Sequence, residues 1–404
     1  MDMTRSCALA SDASRSAPRL PLANLLALAM AGFITILTEA IPAGLLPQIG
    51  DDLGVSAALA GQMVTIYAIG SLLAAIPLTA ATQHIRRRPL LLVAIAGFAF
   101  ANSVTAISAI YGLTMVARFG GGVSAGLLWA LLAGYAARMV PDALKGRAIA
   151  VAMVGTPLAF SLGIPAGTFL GTLVGWRACF GLMSVLTLVL IGWVVARLPD
   201  FAAQPGRTRW RVGAVLMLPG VQSVLAVTFG FVLAHNILYT YVAPFLAASP
   251  MATRIDLVLL VFGMTSLAGI WIVGSLVDRH LRALTLGCIA AFGAATILLG
   301  IGNAVPWLVY GGVALWGLAY GGVATLFQTA LSDAVGDAAD LAQSMLVTAW
   351  NMAIAGGGIV GALILQGVGV GGFAPALLIL LVPTFAVALV ARRSGFPAAR
   401  TSHR

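Results

Sequence analysis

The chain has 404 residues, of which 61% are hydrophobic and only 8% charged, with a mean hydropathy of +1.04. Values so far from those of soluble domains exclude a water-soluble globular protein and predict an all-α membrane protein. The net charge of +10 does not point to a nucleic-acid partner, because Lys and Arg fall in short clusters between long apolar runs and not in one basic domain; lipid head groups of the bilayer are the expected partner.

Crossing about 30 Å of hydrocarbon takes about 20 apolar residues. After a polar tail, 1–21, six runs of that kind follow at 22 to 47, 56 to 81, 89 to 108, 110 to 137, 148 to 172 and 178 to 196, making a first half over 22–197. The first run is too long for a signal-peptide core and leads directly into the second, so it reads as a retained anchor. Residues 198–217 contain Arg, Pro and Gly and read as a linker. Six more runs, at 218 to 246, 257 to 277, 283 to 302, 305 to 331, 341 to 366 and 372 to 391, make a second half over 218–392, and 393–404 form a tail. The expected fold is twelve transmembrane helices in two pseudo-symmetric six-helix halves. The stretches LTAATQHIRRRPLLL and GSLVDRHLRALTL occupy corresponding loops of the two halves, and duplicated halves are a common transporter plan.

Positive charge sets the orientation. Of the 22 basic residues, 19 lie on one side: Arg5, Arg15 and Arg19; Arg86, Arg87 and Arg88; Arg138, Lys145 and Arg147; Arg197, Arg207, Arg209 and Arg211; Arg279 and Arg282; Arg392, Arg393, Arg400 and Arg404. Only Arg177 and Arg254 fall in the opposite loops, and Arg118 lies within a span. Both termini are therefore expected in the cytoplasm. Cys7, Cys179 and Cys288 are far apart and show neither a disulfide framework nor metal spacing.

Glu39 is the only glutamate in the chain, and it sits inside the first apolar run. A charge at the bilayer centre costs about 2.5–3.5 kcal/mol on insertion scales, so such a group is expected to face a partner or a wet cavity. The first span ends near Pro47 and the fourth starts near Ile110, which places Glu39 and Arg118 at matching depth, about 12 Å below the surface. Three roles are open for Glu39: a carboxylate that loads and unloads a proton, half of a permanent tie to Arg118, or a direct substrate contact. Arg118 taken alone also reads as a charge that binds backbone carbonyls and holds the fourth span in place.

In the fifth span Gly155, Ala159, Gly163, Gly167 and Gly171 recur every four residues, which puts them on one helical face open to close packing. Pro157 and Pro165 each remove a helix donor and favour a bend. Ala353, Gly357 and Gly361 repeat the pattern weakly in the eleventh span. Candidate cavity-lining residues are Gln62, Thr65 and Tyr67 in the second span, His235, Asn236, Tyr239 and Tyr241 in the seventh, Trp316, Tyr320, Thr325 and Gln328 in the tenth, and Gln343, Thr348, Trp350 and Asn351 in the eleventh. Their hydroxyls, amides and rings suit a neutral polyhydroxylated ligand, and would also suit amphipathic drugs. His235 reads either as a packing residue or as a proton carrier.

GSLVDRHLR, Gly274 to Arg282, resembles the GxLxDRxxR loop signature of the major facilitator superfamily, with Gly274, Asp278, Arg279 and Arg282 in place. The first-half copy keeps Arg86, Arg87 and Arg88 but has Thr82 or Gln83 where the signature Asp would fall. RFGGGVSAG, from Arg118, resembles the fourth-span arginine motif of that superfamily, and GTPLAFSLGIPAGTFLG resembles its antiporter motif. TEAIPAGLLPQIGDDLGVS, MVTIYAIGSLL, GWRACF and YTYVAPFL look like the bacterial twelve-span drug:proton antiporter family, closest to its arabinose and sugar efflux branch. The similarity spans nearly the whole chain, apart from the first twenty and last dozen residues.

The resemblance implies a monomeric inner-membrane exporter of small molecules driven by inward proton flow, with Glu39 and Arg118 in proton coupling. It also implies that the glycine face of the fifth span seals the two halves in one state and slides in the other. Sugars or sugar-like compounds are the first expectation for cargo, with chloramphenicol-like drugs or purine nucleosides as alternatives. An intramembrane transferase would need clustered acids or a nucleophile with its base, so no enzymatic activity, metal or cofactor is expected.

Overall fold

The computed structural model describes residues 20–397 except 83, 142–143, 203–211, 248, 303, 336–338 and 393. Arg5, Cys7, Arg15, Arg19, Gln83, Arg207, Arg209, Arg211, Arg393, Arg400 and Arg404, among the residues named above, lie outside that set, as do the side chains of Lys145 and Asp278. Twelve helices are long and apolar enough to span a membrane: α1 (Leu22–Leu53), α2 (Ala57–Ala75), α3 (Arg87–Ile107), α4 (Tyr111–Arg138), α5 (Arg147–Val174), α6 (Trp176–Arg197), α7 (Val221–Thr240), α8 (Ile255–Val277), α9 (Arg279–Gly302), α10 (Pro306–Val335), α11 (Ala342–Gly367) and α12 (Val370–Val390). A helix satisfies its own backbone, the requirement hydrocarbon places on any spanning segment.

The helix ends depart from expectation where proline and glycine act. α1 runs through Pro42 and Pro47 and stops only at Gly54, whose φ of +66° suits a residue without Cβ. The seventh span, expected as one run to 246, breaks at Tyr241 and resumes as a short helix, Val242–Leu246. The linker contains a short helix of its own, Val212–Leu216. In α5, between Pro157 and Pro165, residues Ala159–Gly163 form a π-helical turn. Neither proline supplies an N–H, so the hydrogen-bond ladder there is already interrupted and a wider turn fits.

Close helix crossings repeat between the halves. A Cβ on Gly122 or Gly126 of α4 would meet the carbonyl oxygen of Tyr67 or Ser71 on α2, and one on Gly317 or Gly321 of α10 would meet that of Phe262 or Ser266 on α8. Each position is displaced by the same 195 residues (67 to 262, 71 to 266, 122 to 317, 126 to 321). Arg88 donates to the Val195 carbonyl near the end of α6, and Arg282 to the Leu389 carbonyl (2.8 Å) near the end of α12, so each arginine caps exposed helix carbonyls of its own half. Gly175 and Gly369, at φ +84° and +80°, precede the last helix of each half.

The glycine face of α5 corrects one expectation. Gly155, Gly163, Gly167 and Gly171 all press on α1 of the same half, against Ala29, Phe33 and Leu37, Ile41 and Leu45. The weaker face of α11 likewise packs on α7, with Gly357 against Asn236 and Gly361 against Tyr241. These faces build each half; the face that reaches the other half is a different one, where Phe160 and Ser161 of α5 meet Gly263 of α8.

The halves join at the end away from the chain termini. There Ile41, Leu45, Leu46 and Ile49 of α1 and Met63 of α2 share one apolar cluster with Tyr241, Leu246 and Leu259. Toward the termini, Leu25, Leu28 and Ile34 of α1 pack only with residues of the first half, such as Leu91, Leu128 and Leu132. Each described hydrogen bond between the halves passes through Gln62 or Tyr241. Gln62 Nε2 donates to Tyr241 Oη and to the Gly358 carbonyl of α11, both at 3.1 Å, and Tyr241 Oη lies 2.8 Å from that carbonyl and 3.3 Å from the Ala58 carbonyl of α2. A Cβ on Gly61 would collide with the Tyr241 ring, so the clasp needs glycine there.

Two outcomes follow. Tyr241→Phe removes the shared hydroxyl, worth about 1 kcal/mol, and should raise roughly fivefold the population open at the joined end, read as longer distances between spin labels at exposed Leu59 and Val368; an unchanged distribution would show that the clasp does not hold the seam. Gly163→Leu should lower stability by about 1–3 kcal/mol through overpacking on α1, whereas Gly263→Leu should leave thermal unfolding nearly unchanged and stop transport.

Candidate functional site

Arg118 lies on α4, is 1% exposed, and is held among backbone carbonyls. Its Nε donates to the Met63 carbonyl of α2 (3.1 Å), Nη2 to the Glu39 carbonyl of α1 (3.2 Å), and Nη1 to the Thr38 carbonyl. The guanidinium also stands 4.8 Å from the Tyr67 ring centre and 5.7 Å from that of Phe180, within the range of cation–π attraction. One cation thus ties α1, α2 and α4 together. The matching-depth expectation places the pair together even though α1 extends past Pro47, but the arginine meets the main chain of Glu39 and no hydrogen bond to its carboxylate is described. α1 can offer these carbonyls because Pro42, three positions past Glu39 and four past Thr38, has no N–H to bond the Thr38 oxygen.

The Glu39 side chain is half-buried and has no hydrogen-bond partner among the described residues. It lies close enough to Tyr67, Tyr239 and Tyr320 to interact with them electrostatically. Tyr67 itself is buried, donates to the Thr35 carbonyl (3.2 Å), and serves the Arg118 pocket more than any cavity wall.

Opposite Glu39, the second half supplies a ring cluster. His235 stacks on Tyr320 with centroids 3.6 Å apart and planes 11° off parallel, and lies 5.1 Å from Tyr239. Trp316 Nε1–H donates to His235 Nδ1 (3.1 Å). An indole nitrogen only donates, so Nδ1 must accept and the ring proton sits on Nε2. Phe262 completes the second-half group, 4.7 Å from Trp316 and 5.8 Å from His235. Phe160 of α5 joins it from the first half, edge-on at 6.0 Å to both Tyr239 and Tyr320.

The remaining candidates separate. Gln62 belongs to the clasp at the joined end. Asn236 and Asn351 each donate one Nδ2–H back to the carbonyl four residues earlier, Val232 and Val347, both at 2.9 Å, which leaves the amide oxygen and the second N–H of each for another partner. Gln328 is exposed, two turns beyond Tyr320 toward the termini, where its carbonyl accepts from Gln343 (3.2 Å). Arg86 pairs with Asp200 (2.6 Å), and the Arg87 and Arg88 amides bond Phe201 and Asp200, fixing the second loop to the residues after α6. Arg282 bonds the Ala388 carbonyl at the end of α12 and the Phe396 carbonyl, while Gly274 lies in the last turn of α8 and Arg279 opens α9, next to the kink at His280.

Phe160, Phe262 and the Gln62–Tyr241 pairing were not singled out from sequence. Phe160 lay unremarked inside the glycine-rich motif, and only the unusual density of Gly and Pro around it signalled a special turn.

Comparison with known proteins agrees with this architecture. A family model described as Major Facilitator Superfamily matches residues 28–361. The chain is 26% identical over 363 residues to a probable sugar efflux transporter of Helicobacter pylori, covering 88% of this chain and 92% of that one. It is 25% identical over 336 residues to the purine ribonucleoside efflux pump NepI of Shigella sonnei, covering 83% and 85%. Its fold superposes with a TM-score of 0.72 on a crystal structure of a POT family transporter in complex with 5-aminolevulinic acid, at 14% identity and covering 91% and 94% of the two chains. With twelve spanning helices in two repeated halves and a family match over most of its length, the chain belongs to the Major Facilitator Superfamily.

Proposed function

We propose that this transporter is a proton-coupled exporter of small neutral molecules, sugars or sugar-like compounds, acting as a monomer in the bacterial inner membrane with both termini cytoplasmic. The reading rests on Glu39, the chain's one glutamate, half-buried at mid-membrane between the halves with no described hydrogen bond to its carboxylate. A group in that setting answers to water and cargo. Because Arg118 is occupied by three carbonyls, it lends positive potential to the site while leaving the carboxylate able to exchange a proton.

With cytoplasmic termini, halves joined at the far end describe a cytoplasm-facing arrangement. In the cycle proposed, Glu39 releases its proton to the cytoplasm as cargo binds. The halves then rock about the central site, cargo leaves outside, and Glu39 takes a proton for the return. Proton and cargo compete for one state of the site, which couples their opposite movements.

The name of the Helicobacter relative supports sugar export, and that of the Shigella relative supports a second reading, purine nucleosides. The half-buried rings of Phe160 and Tyr320 favour a cargo with a flat face. Hydrophobic drugs would use the same cavity, and an arginine beside the one glutamate disfavours cations.

In liposomes carrying a pH dye, cargo should drive proton movement by the wild type and none by Glu39→Gln, with both proteins equally folded; wild-type proton movement in that variant would remove Glu39 from coupling. Arg118→Lys keeps the charge but not the three-way fork. It should lower stability by about 2–4 kcal/mol and slow transport at least tenfold, and normal unfolding in that variant would show that the carbonyl tie does not hold the first half.

A further inference from the structure

We propose that Phe160 is a specificity-determining residue of the central site, its ring occupying the place on Tyr239 and Tyr320 that the flat face of a ring-containing cargo takes. This deepens the export reading and rests on it.

Three independent observations converge on Phe160. Among the described residues, both ring contacts between the two halves are made by this one side chain, edge-on to Tyr239 at 73° and to Tyr320 at 68°, each 6.0 Å away. The other described ring pairs all lie within one half.

Its backbone is the second. Gly155 and Gly163 are eight residues apart, which in a regular α-helix rotates the second about 80° off the face of the first. The π-helical turn at Ala159–Gly163 holds more residues per turn and absorbs that drift. Both glycines therefore stay against α1, and Phe160 and Ser161 turn outward to α8, where Gly263 has no side chain to block them.

Burial is the third. Tyr239 is 4% exposed, whereas Phe160, Tyr320 and Glu39 are each only half-buried. Phe160 is one of four rings around Tyr239, with His235, Phe262 and Trp316, and the only described one from the first half, so a cargo ring that takes its place against Tyr239 has to displace it. Edge-to-face contacts are weak enough to exchange for a stacked ring of similar area. The displaced residue lies on the α5 segment that touches α8, so taking up cargo loosens the central contact between the halves. An open-chain polyol has hydroxyls for Glu39 and the tyrosines but no flat face, and leaves Phe160 where it is.

The test measures binding of inosine, D-arabinose and the open-chain polyol arabitol to purified wild type, Phe160→Ala and Phe160→Leu, with thermal unfolding confirming that each variant folds. Phe160→Ala should bind inosine about tenfold more tightly, because no resident ring must leave, with an intermediate gain for Phe160→Leu and arabitol binding unchanged. Wild-type affinity for inosine in Phe160→Ala would overturn the inference alone. Weaker inosine binding would also overturn it, by making Phe160 a wall of the site and not the cargo's stand-in. Absence of ring binding by wild type and variants alike would overturn the cargo reading and this inference with it.

Discussion

Helices in hydrocarbon gain nothing from hiding apolar surface from one another, because the lipid is as apolar as they are. What remains is contact at short range, and this chain obtains it by omitting side chains where helices cross. The carbonyl of Tyr67 lies where a Cβ on Gly122 would be, and the carbonyl of Phe262 stands in the same relation to Gly317. The same economy recurs where α5 meets α1 and α11 meets α7. Within each half the backbones nearly touch at these crossings.

The buried cation sits where a close-packed half can satisfy it. Arg118 spends its guanidinium on three carbonyls of α1 and α2, so the cost of burying a cation is met by hydrogen bonds to main chain already held in place. Main-chain acceptors do not change protonation, and they leave the Glu39 carboxylate free of a permanent partner. The corresponding region of the second half holds no such cation. Phe262 stands at the position displaced by 195 residues from Tyr67, and His235 is fixed there by the Trp316 N–H and by stacking on Tyr320. One half offers a charge and the other a set of ring faces, a pairing suited to a neutral cargo with hydroxyls on one side and a flat surface on the other.

The contacts between the halves differ in kind from those within them. They include one hydrogen-bonded clasp, an apolar seam at the end away from the termini, the Phe160 ring, and the crossing where Gly263 of α8 meets the α5 backbone at Phe160 and Ser161. Between the halves the Thr65 hydroxyl, which a Cβ on Gly358 would meet, is buried without a hydrogen-bond partner among the described residues, a cost of closure of about 1–3 kcal/mol. A joint made this way is strong enough to close and weak enough to release, whereas the glycine faces inside each half are not.

Much of this was legible in the sequence. Hydropathy fixed the number of spans, and charge placed 19 of 22 basic residues on one side. The lone glutamate stood out as a candidate, and Arg118, expected at the same depth, meets its main chain. Periodicity, however, names a face of a helix without naming what lies opposite: the glycine face of α5 was open both to ordinary helix packing and to a seal between the halves, and it packs inside one half. Which oxygen Arg118 binds depends on the carbonyl left free by Pro42 and on the neighbouring helices, not on the spacing of charged residues. The ring cluster gathers side chains from α5, α7, α8 and α10 that are scattered over more than 150 positions, from Phe160 to Tyr320. Sequence thus determined the membrane environment, the repeat and the lone glutamate within the first span, because these follow from local composition and short-range periodicity. Only the tertiary structure decided the partners of each face, because those follow from how the twelve helices cross.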